Sequence, residues 1–157
     1  MPDTKLRAVK ATNLLKDDHQ KVKKLLKEFE RSKETVDKIN LFGEIRRELS
    51  IHAQIEEEIF YPALAEGGDA EAEERVATAL KDHALMKTML KELAAIGVGD
   101  EAFDIKMEVL SENVQNHAED EEKNLFPLFQ KCSREEREGI SERLAIRRRE
   151  LDQAVQE

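Results

Sequence analysis

The chain has no tryptophan, one tyrosine, one cysteine, three prolines and six glycines in 157 residues. Each shortage excludes something. The lone cysteine, Cys132, rules out an internal disulfide and any cysteine-ligated zinc or iron–sulfur site within one chain, and reads as an incidental residue at a helix end. No apolar stretch approaches the ~20 residues that span a bilayer. The opening Met-Pro-Asp-Thr-Lys lacks the apolar core of a secretion signal, so the expected location is cytoplasmic, with no membrane partner. Positive charge is also short. A net charge of -9 argues against nucleic acid or an acidic membrane as partner, because clustered Lys and Arg are what hold such surfaces. The one basic cluster, Arg147-Arg148-Arg149, lies among Glu142 and Glu150 and reads as a solvated helix face.

With 39% charged residues, few helix breakers and few β-branched runs, the chain reads as all-α. Residues 1–157 are the length of one ordinary domain, enough to bury a core. The apolar stripes predict helices over about 12 to 31, 36 to 65, 70 to 96 and 103 to 130. Gly67-Gly68 with Asp69, and Gly97-Val98-Gly99-Asp100, supply the breaks and caps, and Pro62 should loosen the last turn of the second helix. Short connections make the helices antiparallel neighbours, an up-down-up-down four-helix bundle with a core over about 12 to 130. A further helix over about 133 to 155 opens on the capping pattern Ser133-Arg-Glu-Glu136. Its Ile140, Leu144, Leu151 and Val155 can pack along the bundle or against a second copy of the chain, forming a homodimer.

Histidine occurs four times, in two copies of one spacing: His19 to His52 is 33 residues and His83 to His117 is 34. Each second histidine is followed four residues on by Glu56 or Glu121, and ten residues on by Pro62 or Pro127. A shift of 64 residues superposes Gln20-Lys-Val-Lys-Lys-Leu-Leu-Lys-Glu28 on Ala84-Leu-Met-Lys-Thr-Met-Leu-Lys-Glu92, and a shift of 65 superposes Phe60-Tyr61-Pro62 on Leu125-Phe126-Pro127. Two copies of so long a unit indicate a pseudo-symmetric body.

All four histidines fall on the apolar stripes. At about 100° per residue, positions i and i+4 differ by only about 40°, so His52 with Glu56 and His117 with Glu121 project side by side. Glu57 and Glu122 lie about 140° from their histidines and are assigned mostly to solvent. A carboxylate facing a Leu and Ile core costs several kcal/mol unless it is paired or metal-bound. The metal-ligand candidates are therefore His19, His52, Glu56, His83, His117 and Glu121. Nitrogen and oxygen donors without thiolate suit iron, manganese or zinc, and ligands from all four helices of a bundle are the usual home of a dinuclear carboxylate centre. If both glutamates bridge, a bridging oxide or hydroxide gives each ion five donors and leaves one position open for a small ligand.

This pattern resembles the hemerythrin-like HHE cation-binding domains, across roughly 14 to 129, with His52-xxx-Glu56-Glu57 and Phe60-Tyr61-Pro62 typical of bacterial members. The resemblance implies two iron ions in a non-haem centre that meets dioxygen, hydrogen peroxide or nitric oxide. It carries the ligand role onto the same six residues. Oxygen carriers have a fifth histidine one turn from the third; here Ala79 and Lys87 occupy those positions. They also place the last carboxylate five residues after the last histidine, so Glu122 rivals Glu121, with Asp120 as an outer candidate. The leading expectation is decomposition of hydrogen peroxide. The alternative is a non-enzymatic module that binds or senses oxygen, nitric oxide or iron, reporting through the C-terminal helix; iron storage or donation is a third reading.

Overall fold

The structure, a computed structural model, describes residues 10–156. The Met-Pro-Asp-Thr-Lys opening and the side chain of Val155 fall outside the described residues. The first rod is α1 (Ala11–Arg31); the second joins α2 (Thr35–Ile55), a wide π turn π1 (Glu56–Phe60) and α3 (Tyr61–Gly67). The third is α4 (Ala70–Ile96), and the fourth joins α5 (Glu101–Asp120), π2 (Glu121–Leu125) and α6 (Phe126–Gln130). The last helix, α7 (Arg134–Gln156), follows. There is no strand among the described residues, and no helix among them is long and apolar enough to cross a membrane. The all-helical four-rod bundle with a C-terminal helix is the architecture read from the sequence.

Three helix starts, those of α4, α5 and α7, are fixed by side chains that accept otherwise unpaired backbone N–H groups. Asp69 accepts from Ala72 N at 3.0 Å, Asp100 from Ala102 N at 2.9 Å and Ser133 Oγ from Glu136 N at 3.1 Å. α4 stops at Gly97, whose φ of 86° suits a residue without Cβ.

The second and fourth rods depart from the continuous helices expected. Each widens into a π turn directly after its Glu56 or Glu121, closed by Tyr61 N–H to Glu56 O and by Phe126 N–H to Glu121 O. Pro62 and Pro127 sit in the first turn of the helices that resume. A proline there has no N–H to give and its ring crowds the carbonyl four residues back, so the chain takes up an extra residue instead of merely loosening a last turn.

Two apolar clusters fill the bundle. One holds Leu26, Phe29, Ile45, Leu49, Leu90 and Phe103; the other holds Leu15, Ile55, Phe60, Leu64, Phe126 and Phe129. In every rod the histidine lies between residues of the two clusters, so the four imidazoles form a polar layer inside an apolar body. α7 buries Ile140 and Leu144 in the second cluster, with Leu151 packed partly against it, and packs on α1, α2 and π1, so these three residues of its apolar stripe lie against its own chain. Arg148 shares that stripe. Its side chain is only 12% exposed, which corrects the reading of 147–149 as a solvated face for this residue.

Candidate metal centre

Each imidazole is held at Nδ1 by a carboxylate from another rod. His19 pairs with Glu122 (3.0 Å), His52 with Asp18 (2.9 Å), His83 with Glu57 (2.9 Å) and His117 with Asp82 (3.1 Å). An ionised carboxylate only accepts, so Nδ1 carries the hydrogen and Nε2 is left with its lone pair. Glu57 and Glu122 are thus not solvent residues. Each points away from the histidine of its own helix, but the histidine it holds stands on a different rod.

The four Nε2 atoms converge on Glu56 and Glu121, which have no exposed surface. His19 Nε2 is 3.1 Å from Glu121 Oε1; His52 Nε2 and His83 Nε2 are each 3.2 Å from Glu56 Oε1; and His117 Nε2 is 3.6 Å from Glu121 Oε2. Two groups with metal-ligand spacing result: His19, His52, Glu56 and Glu121, and Glu56, His83 and His117. All six residues singled out in the sequence are therefore together, with Glu56 common to both groups. Two of their buried atoms, His52 Nε2 and Glu56 Oε2, have no hydrogen-bond partner. An orphaned donor set of imidazole and carboxylate around two fully buried glutamates fits a cation.

Burial and the two glutamate charges act against one another around the rings. Burial pushes the imidazolium of His52 down, but the Glu56 charge, the hydrogen bond to Asp18 and the nearby Glu121 carboxylate outweigh it and hold the group well above its ordinary value. At His83 burial is likewise outweighed, by Glu56 and then Glu57, and the group is raised. Burial works against ionised Glu121, yet the hydrogen bond with His19 and the neighbouring His52 keep it well below the usual carboxylate range.

Tyr61 is the residue the sequence showed without disclosing its role. Its hydroxyl donates to Glu121 Oε2 at 2.5 Å and lies 3.2 Å from Glu56 Oε1, 3.2 Å from His83 Nε2 and 3.3 Å from His117 Nε2. Burial first, and then the charges of Glu56 and Glu121, push the phenol far above its ordinary range. In the other copy of the repeat the same place is taken by Phe126, stacked on His19 at 6.1 Å. The halves are therefore unlike, where the repeat alone suggested two equivalent ones. Asp18 and Asp82 were also missed, although the 64-residue shift that superposes His19 on His83 superposes them too.

On the side of the histidines away from Tyr61 lies a cavity of about 230 Å³. Val22, Leu49, Met86 and Val114 line it, each three residues from the histidine of its own rod. Exposed Gln20, Lys23 and Glu119 stand at its rim.

A helical bundle whose four rods each bring one carboxylate-held histidine to a buried glutamate pair defines a cation-binding protein of the His/carboxylate class. The chain belongs to the hemerythrin HHE cation binding domain family, which it matches over residues 10–129. A crystal structure of a hemerythrin HHE cation binding domain-containing protein from Mycobacterium kansasii, an Rv2633c homolog, superposes with a TM-score of 0.82 at 25% identity, over 93% of this chain and 89% of that one. A DNA nickase of Nostoc sp. (strain PCC 7120) is 29% identical over 115 residues, which are 73% of this chain. The match spans 32% of the nickase, about a third of its length.

Proposed function

We propose that this chain binds two iron ions and decomposes small oxidants there, hydrogen peroxide foremost. His19, His52, Glu56 and Glu121 would hold one ion, and His83, His117, Glu56 and Glu121 the other, with the Tyr61 oxygen as a further donor to the second. The observation that carries this reading is the commitment of all four Nδ1 atoms to carboxylates, which leaves four Nε2 lone pairs aimed at two fully buried glutamates. A donor set of nitrogen and oxygen without thiolate supports iron.

When bound, two such ions supply Lewis acidity and one-electron redox capacity toward a small ligand. The residues of the chain supply the rest. Glu57 and Glu122, part-exposed and each hydrogen-bonded to the Nδ1 of a histidine, link the centre to solvent protons. Disproportionation of two peroxide molecules to two waters and one dioxygen needs a proton taken from one oxygen and returned to another, and this pair can exchange it with solvent between the two events. Phe60, Phe126 and Leu15 wall the carboxylate side against water, while the cavity beside Val22, Leu49, Met86 and Val114 admits small molecules from the other side. With Phe126 where the other half has Tyr61, the His19 and His52 half has one donor fewer and is the half open to a small ligand.

Oxygen release from added hydrogen peroxide tests this. The iron-loaded protein should evolve dioxygen, and Glu121→Ala should abolish the evolution. A loaded protein that binds dioxygen reversibly and releases none from peroxide would return the binding or sensing reading to first place.

A further inference from the structure

The last helix enters the histidine layer through one side chain. Arg148 of α7 donates from Nη2 and Nε to Asp18 Oδ1 at 2.9 and 3.2 Å, and Asp18 Oδ2 accepts from His52 Nδ1 at 2.9 Å. The guanidinium also donates to Glu48 Oε2 at 2.5 Å and to Asp152 Oδ1 at 3.2 Å. Lys21 and Arg47 complete the pairing of Glu48 and Asp152, so three cations and three carboxylates close one network over α1, α2 and α7. Of these, α1 and α2 carry His19 and His52.

The repeat provides a comparison inside the same molecule. Asp82 holds His117 as Asp18 holds His52, but among the described residues no lysine or arginine lies within ion-pairing distance of Asp82, whose side chain is 37% exposed against 9% for Asp18. Solvent can stabilise the charge of Asp82. For Asp18 that task falls to Arg148, because a buried carboxylate without a cation is strongly disfavoured. Lys87, which pairs with Glu57 behind His83, is itself half exposed and ties no further element to the site.

We infer that Arg148 is a positioning residue for the metal centre: through Asp18 it fixes the ring of His52 and so sets the metal affinity of the His19 and His52 half alone. The inference rests on the dinuclear reading above and extends it to a residue beyond the 10–129 stretch that the family match covers. A carboxylate behind a ligating histidine fixes the ring's tautomer and direction, and loss of such a partner typically costs about 10–100-fold in metal affinity. Arg148 stands one link farther out, which puts the expected loss on the order of 10-fold. A guanidinium serves here better than an ammonium, because its planar fork reaches Asp18, Glu48 and Asp152 together.

The test reads the two halves separately. In a His117→Gln background the remaining intact half is that of His19 and His52; in a His19→Gln background it is that of His83 and His117. Co(II) titration of the metal-free full chain, followed by its visible absorption, gives one affinity for each background. Adding Arg148→Met should weaken Co(II) about 10-fold in the first background and shift its spectrum, while leaving the second within about 2-fold. Arg148→Lys should recover part of the loss. Arg147→Met, which breaks surface pairs with Glu58 and Glu150, should change neither background. Equal losses in both backgrounds, or none in either, would overturn the inference. If Arg148→Met does not fold, Arg148→Lys carries the same test, and a spectrum and affinity equal to those of its background would count against the role. Wild-type protein that takes up only one ion would contradict the dinuclear reading instead, a result the single-half backgrounds keep apart from the part played by Arg148.

Discussion

The Tyr61 hydroxyl lies 2.5 Å from Glu121 Oε2, which ties the aromatic residue of one half of the repeat to the carboxylate of the other. Phe126, the repeat partner of Tyr61, has no oxygen to offer His19 and stacks on it instead. This one difference in chemistry makes a pseudo-symmetric scaffold carry an asymmetric site.

Tyr61→Phe should therefore make the halves alike. Ferric protein should lose the broad visible absorption that a phenol oxygen bound to iron confers, and its second ion should be released to a chelator faster. Visible spectra and chelator kinetics on the loaded variant check this. An unchanged spectrum would mean that the hydroxyl serves only as a hydrogen-bond donor to Glu121.

Glu57→Ala and Glu122→Ala should each weaken metal binding about 10–100-fold, because each leaves a histidine without the partner that orients it. Glu56→Ala and Glu121→Ala should abolish the centre, since each removes donors to both halves. Competition with a coloured chelator ranks the four. Silence of Glu57→Ala would restore the view that this carboxylate belongs to solvent.

Acidity should separate the loaded and metal-free proteins. Metal-free, His52 and His83 hold protons to higher pH than in the unfolded chain. That contribution to stability is fully present below about pH 6.5 and fades as pH rises through the raised folded values. Bound metal requires the neutral rings, so it stabilises more as pH rises. The gap in Tm between loaded and metal-free protein should widen from about pH 6 to about pH 8, measured by thermal unfolding at each pH. A gap that narrows would contradict the assignment of these rings.

Packing of α7 should matter as much as that of a bundle helix. Leu144, with no exposed surface, should cost about 2–5 kcal/mol as Leu144→Ala. Ile146, 45% exposed on the same helix, should stay within about 0.5 kcal/mol. Urea unfolding of the metal-free protein measures both.

The bundle was legible because apolar spacing, caps and breaks all agreed, and the six central residues because a repeat of so few histidines left little choice. The π turns were not, although Pro62 and Pro127 stood in plain view. A proline tells where a helix must adjust, and only the packing of Phe60 and Phe126 against the rest of the core decides how. The outer carboxylates were hidden because helix angles relate residues of one rod, whereas Glu57 and His83 are 26 residues apart on two. Arg148 was hidden by its neighbours, since a run of three arginines averages to a surface. The spacing of four from buried Leu144 is the signal that sets it apart.

Iron counting tests the central claim most directly. Metal-free protein loaded with ferrous iron under anaerobic conditions, freed of unbound metal and analysed for iron and protein together, should contain two iron atoms per chain, and Glu56→Ala should contain fewer than one. One iron or none in the wild-type chain, or two retained in Glu56→Ala, would contradict a dinuclear centre built on the two buried glutamates.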